Sequence, residues 1–233
     1  MMSFSQAHSF NMSMNFHGGE LVINYPWDYT YSLAPFDALL QEMSLTYTRP
    51  HTALYNSSDF VHGITNGAAW YVITGSMQDW LYHYTGGIDI TAEIGTSKWP
   101  SSSQLPTYWN NNKESILSYI EFAQNGVKGM VSTPSGVPLS ATISVAGYNK
   151  TISNDPDVGD YHRLLLPGTY QITATVVGFD PQSISVTVPA TGYVVQNFTF
   201  GSGSDVADEL SPPASATLMN NFPNPFSGDT ILS

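Results

Sequence analysis

His17, Glu93 and Tyr71 are the residues of this 233-residue chain whose types and settings could do chemistry. His17 lies in Asn15-Phe16-His17-Gly18-Gly19-Glu20, where an imidazole beside a strand meets two glycines that let a ligand or a neighbouring backbone come close. Such an imidazole can ligate a metal, but a catalytic zinc normally takes three protein ligands and keeps a fourth position for water. Glu93 closes the apolar run Ile88-Asp89-Ile90-Thr91-Ala92-Glu93-Ile94. A carboxylate on a rigid strand can serve as general base toward a metal-bound water, and burial there would raise its pKa. Tyr71 follows a loop that could act as a lid, and a phenol on a mobile loop can donate to a substrate. Each has an ordinary alternative: a satisfied structural histidine, an edge glutamate facing water, a core tyrosine.

The elements that must position these groups are read from periodicity. Residues 21–25 read as a short buried strand, and 88–94 as a second. Residues 35–46 read as a helix that Ser32 is placed to cap, with Phe36, Leu39, Leu40 and Met43 at helical spacing. A long loop is expected over 47–69. Residues 106–125 give the clearest helix, with Trp109, Ile116, Ile120 and Ala123 on its apolar face and Gly126 as its stop. From Val127 to about Phe200, short runs rich in Val, Ile, Thr and Tyr alternate with turns such as Thr133-Pro134-Ser135-Gly136 and Leu166-Pro167-Gly168. That spacing predicts a small antiparallel β-sandwich over 126–200. A flexible acidic linker is expected over 201–218, and a further segment begins at 219.

Composition narrows the function. Six Lys+Arg against 18 Asp+Glu give a net charge of -12, so phosphate backbones and anionic membrane surfaces are repelled and no nucleic-acid partner is expected. The absence of cysteine removes disulfides, thiolate zinc sites and Cys nucleophiles. No apolar run approaches the ~18 residues of a membrane span. The start, Met1-Met2-Ser3-Phe4-Ser5-Gln6, has no basic n-region and no long apolar stretch, so no signal peptide is visible in it.

Taken together the motifs carry a resemblance. His17-Gly18-Gly19…Asn24-Tyr25-Pro26, Asn66-Gly67-Ala68-Ala69-Trp70-Tyr71…Gly75-Ser76-Met77-Gln78-Asp79 and Asp89-Ile90-Thr91-Ala92-Glu93-Ile94…Lys98-Trp99-Pro100, in this order, resemble the zinc metallocarboxypeptidases of the regulatory (carboxypeptidase D, N, E and M) type. The resemblance continues through Leu105-Pro106-Thr107-Tyr108-Trp109 and Gly126-Val127-Lys128-Gly129, and covers roughly residues 10 to 200. It implies an α/β fold: the C-terminal half of a mixed-sheet carboxypeptidase domain over 1–125, then a transthyretin-like antiparallel β-sandwich. It also implies one Zn2+ ion with His17 as its third ligand, Glu93 as general base and Tyr71 as the phenol that closes over the substrate. Gln78 would line the pocket for the terminal side chain, with Asp28 a nearby acid compatible with a basic Lys or Arg. The substrates would be the C-termini of peptides or proteins.

The departures are as informative. The family's first two zinc ligands lie on a His-x-x-Glu segment well upstream of the third; the His-x-x-Glu present here, His17-Gly18-Gly19-Glu20, begins at His17 itself, and none precedes it. The only arginines, Arg49 and Arg163, match no substrate-carboxylate clamp. The expectation is a part of a carboxypeptidase that lacks two of three zinc ligands and is inactive alone; the alternative is a non-catalytic peptide-binding or folding module. Asn221-Phe222-Pro223-Asn224-Pro225-Phe226 resembles the opening of the sorting domain used in bacterial type IX secretion, which implies a secreted or cell-surface parent. No oligomer signal is legible.

Overall fold

Met12-Ser13-Met14-Asn15-Phe16-His17 and Ile88-Asp89-Ile90-Thr91-Ala92-Glu93 both alternate apolar and polar residues, the period of a strand with two different faces. In the computed structural model, which describes residues 2–8 and 10–201, both are strands of one sheet. Its members are β1 (Met12–His17), β2 (Glu20–Tyr25), β3 (Ile64–Asn66) and β4 (Ile88–Gly95), in the order β1-β4-β2-β3. β1 runs parallel to β4, β2 antiparallel to β4, and β3 parallel to β2. The helices are α1 (Met2–Gln6), α2 (Asp37–Thr48), α3 (Thr52–Tyr55), α4 (Gly67–Trp70), α5 (Met77–Tyr84) and α6 (Leu105–Glu121). The expected loop over 47–69 is therefore interrupted by α3, β3 and α4. No helix among the described residues is long and apolar enough to cross a membrane.

One face of the sheet is apolar. Ile23, Ile90 and Ala92 are fully buried in a cluster with Leu39, Leu40, Met43 and Tyr47 of α2. Each large aliphatic side chain so buried contributes about 1.5–3 kcal/mol. α2 begins later than the sequence suggests, and Ser32 does not cap it. Phe36 takes the N-cap position in a left-handed conformation without a side-chain cap bond, because its ring is held in a stack on Tyr148 at 3.8 Å. Asp37 in the first turn compensates the helix dipole instead.

α6 forms where expected but buries a different face. Asn112, Ser115 and Tyr119 point inward, whereas Trp109 is 62% and Ile120 59% exposed. Polar bonds decide the orientation: the Tyr119 hydroxyl donates to Ser13 O at 2.8 Å, and the Tyr47 hydroxyl to Asn112 Oδ1 at 2.6 Å. Of the apolar stripe, Ile116 packs against the core at the border of this face, whereas Trp109 and Ile120 are left in solvent.

The remaining strands are β5 (Gly126–Ser132), β6 (Ala141–Val145), β7 (Tyr148–Ser153), β8 (Asp160–Arg163), β9 (Gly168–Val176), β10 (Gln182–Val188), β11 (Tyr193–Val195) and β12 (Phe198–Thr199). The sheet β10-β9-β6-β7 is antiparallel throughout. The other is mixed rather than antiparallel: β8 runs antiparallel to β5, but β11 and β12 run parallel to it. The break between β11 and β12 has a cause at Gly129, where any Cβ would strike the Gln196 carbonyl. The ladder is interrupted there without a change of register, and Met130 N–H donates to Asn197 Oδ1 at 2.9 Å.

Val127, Val131, Ile143, Val145, Ile172, Ala174 and Val186 join the same core as the first sheet, and residues 1–200 form one unit. At the junction the Arg163 guanidinium lies 4.4 Å from the Phe36 ring centroid and donates to Lys150 O at 2.9 Å. The expected linker after Gly201 and the segment over 219–233 lie outside the described residues.

Candidate active site

The second face of the sheet is polar because both alternating strands turn their polar residues to it. Register pairs Ser13 with Asp89, Asn15 with Thr91 and His17 with Glu93 across β1 and β4, while β2 sets Asn24 opposite Thr91. His17 Nδ1 lies 3.8 Å from Glu93 Oε1. The imidazole is largely exposed and the carboxylate nearly buried. Glu93 Oε2 has no hydrogen-bond partner. An orphaned buried acceptor costs about 1–3 kcal/mol and calls for a reason, such as a proton or substrate group that arrives in turnover. Burial raises the Glu93 pKa, opposed by the charges of His17 and Lys98.

Below this pair, Asp89 is fully buried and accepts from Ser13 Oγ and Asn15 Nδ2, which ties β1 to β4 in the register that brings His17 to Glu93. Burial pushes the Asp89 carboxyl up to about 6. These partners were not singled out from the sequence, although the strict alternation at 12–17 was the available signal.

Gln78 and Asp28 form a buried pair across fifty residues of sequence. α5 starts at Met77 because Ser76 caps it, its hydroxyl accepting from Asp79 N–H at 3.3 Å. This places Gln78 over the polar face, where its Oε1 accepts from Thr91 Oγ1 at 2.9 Å and its Nε2 donates to Asp28 Oδ1 at 2.8 Å. The Asp79 carboxylate accepts from the backbone N–H groups of Asp28 and Tyr29. Asp28 is pushed up to about 6, first by burial and further by the Asp79 charge. Gly67 packs directly on Asp28 Oδ1, with no space for a Cβ. Tyr71, half exposed, is no core tyrosine; it follows α4 on a loop whose Ile73 N–H donates to Asp28 O at 3.1 Å. The loop that carries Tyr71 is therefore tied to the same pocket.

Two raised carboxyls have a consequence for stability. Their folded pKa values of about 6 exceed the unfolded value of 3.8, so the stability they contribute is present below that value and lost as pH rises through about 6. Chemical denaturation should show Asp28 and Asp89 favouring the fold at pH 5 over pH 7.5. The doubly substituted Asp28→Asn, Asp89→Asn chain should lose that part of the pH dependence; an unchanged profile would contradict the assignment.

The residues present suit one edge of a zinc centre. His17 offers an accessible imidazole with a basic carboxylate at its side, yet no group of three His, Cys, Asp or Glu converges among the described residues. A four-coordinate catalytic centre is not completed by them.

Residues 1–115 match the family model described as zinc carboxypeptidase. The match takes in just under half of the chain. Carboxypeptidase D of Mus musculus is 41% identical over 228 residues, 91% of this chain and 16% of its own length. Carboxypeptidase D of Anas platyrhynchos is 38% identical over 249 residues, 100% of this chain and 18% of its own. The carboxypeptidase N catalytic chain of Homo sapiens is 38% identical over 210 residues, 82% of this chain and 46% of its own. This chain spans less than half the length of these curated relatives. The matched family is one of zinc-dependent enzymes, and these relatives are carboxypeptidases D and N.

Proposed function

We propose that this chain supplies the base and the specificity pocket of a secreted regulatory-type metallocarboxypeptidase that removes C-terminal Lys or Arg from peptides or proteins. The observation that carries the reading is Glu93, buried in register with His17 and left with one unpartnered oxygen. In this reading Glu93 accepts the proton of the attacking water and later delivers it to the leaving amine. His17 is one zinc ligand, and Tyr71 closes over the bound terminus. Gln78 holds Asp28 toward a cationic side chain, a pairing that requires Asp28 ionised and so strengthens as pH rises through about 6. Residues 126–200 are proposed as the transthyretin-like domain and 219–233 as the start of a sorting domain.

The test is a chimera in which this chain replaces the matched stretch of the human carboxypeptidase N catalytic chain. Its kcat/KM should favour peptides ending in Lys or Arg over Leu by at least about tenfold, and Asp28→Asn should erase most of that preference. Cleavage with no basic preference would remove Asp28 and Gln78 from the specificity role. Failure to cleave with zinc bound would defeat the peptidase reading.

A second reading, a peptide-binding module without turnover, is favoured by the incomplete ligand set among the described residues. Both readings expect the purified chain alone to hold zinc weakly, well below one equivalent after dialysis by elemental analysis. Tight stoichiometric zinc would show a ligand set that the described residues lack.

A further inference from the structure

Of the six basic residues in this chain of net charge -12, two sit together at the junction of the first sheet's loops with the β-rich half. Arg163 is buried, its Nε has no partner, and its guanidinium lies over Phe36. Lys150 donates to His83 O, and its pKa is lowered, first by burial and then by the Arg163 charge. Neither forms an ion pair: among the described residues the pairs are His17 with Glu93 and Arg49 with Glu42. The two cations are held by carbonyl and aromatic partners alone, so the junction keeps a positive charge that no carboxylate neutralises.

An open groove of about 740 Å³ lies beside them, lined by Trp27, Tyr29, Phe36, His83, Tyr148 and Lys150 among others, with no Asp or Glu in its wall. Its aromatic floor is fixed: Phe36 and Tyr148 stack at 3.8 Å, and Trp27 and Tyr29 lie 5.5 Å apart. We propose that this groove is an exosite for an acidic, aromatic-rich peptide segment. Lys150 would take the carboxylate, and Tyr29 and Tyr148 would take the flanking side chains. The net negative charge of the protein opposes such a ligand at long range, but screening over about 8 Å at physiological salt leaves the local cation to decide. Trp27 and Tyr29 flank Asp28, so the groove adjoins the proposed pocket while using different side chains.

The test uses the purified chain and a fluorescein-labelled Glu-Tyr-Glu-Tyr-Glu peptide with an amidated C-terminus, which a site for free C-termini does not accept. Fluorescence anisotropy should show saturable binding, and a Gln-Tyr-Gln-Tyr-Gln counterpart should bind at least about tenfold more weakly. Lys150→Met should weaken the acidic peptide about tenfold and Lys150→Arg should restore it, with circular dichroism unchanged for both. Tyr148→Ala should weaken both peptides. Equal binding of the two peptides, insensitivity to Lys150→Met, or no saturable binding of the acidic peptide would overturn the proposal. None of these outcomes touches the peptidase reading, which the chimera tests separately.

Discussion

Glu93→Gln in the chimera is expected to lower kcat by about 10²–10⁴-fold while leaving KM and bound zinc nearly unchanged. The size follows from what the amide keeps and what it loses. Gln matches Glu in length and shape, so the β1–β4 register and the packing around a residue only 8% exposed are retained. It cannot accept a proton from water at any working pH. The native carboxyl has its pKa raised by burial, so activity should fall on the acidic limb as Glu93 protonates, and that limb should vanish with the amide. A pH profile separates this from a packing defect, which would depress the rate without changing its shape. Turnover within a few-fold of the unsubstituted chimera would take the base role away from Glu93. Tyr71 offers the contrast: half exposed on its loop and proposed only to assist closure, it should cost less as its phenylalanine variant.

How far the site was legible depends on whether its geometry is local. β4 announces itself, because Ile88 to Ile94 alternates and its apolar side is buried. β1 alternates just as strictly but is harder to read as a strand: it is short, sits at the sheet edge, and none of its residues is fully buried. His17 was singled out while the strand that carries it was not. The Asp28–Gln78–Thr91 chain is a tertiary fact. Nothing in local spacing tells a helix at 77 to lay its second residue against residue 28, and only the resemblance drew Gln78 and Asp28 together. α6 shows the converse failure. Its apolar stripe is legible, but only Ile116 of it meets the core while Trp109 and Ile120 stay exposed, since hydrogen bonds from Tyr47 and Tyr119 set the rotation. In the β-rich half, turn spacing found the strands, but β11 and β12 pair parallel to β5 through long-range contacts that periodicity does not encode.

Gly67 makes the dependence of the pocket on tertiary contacts testable. Gly67→Ala should destabilise the fold by about 1–3 kcal/mol and abolish the preference for basic termini. Intrinsic propensity points the other way, because alanine in a helix is about 1 kcal/mol better than glycine, and Gly67 opens α4 with an ordinary backbone conformation. Sterics win because the new Cβ would occupy the place of Asp28 Oδ1, and Asp28 can yield only by giving up a hydrogen bond. Its N–H is held by Asp79, its carbonyl by Ile73 N–H, and its carboxylate by Gln78. The least costly relief is rotation of the carboxylate, which breaks the bond to Gln78 and releases Gln78 from its place above Thr91. The drop should appear as several degrees in Tm, together with loss of Lys and Arg selectivity in the chimera. A double-mutant cycle locates the cause. In an Asp28→Ala background the colliding oxygen is gone, so Gly67→Ala should become close to neutral, with a coupling of about 1–3 kcal/mol between the two sites. Additive effects would mean that the glycine serves something other than Asp28, and the pocket would need another explanation for its shape.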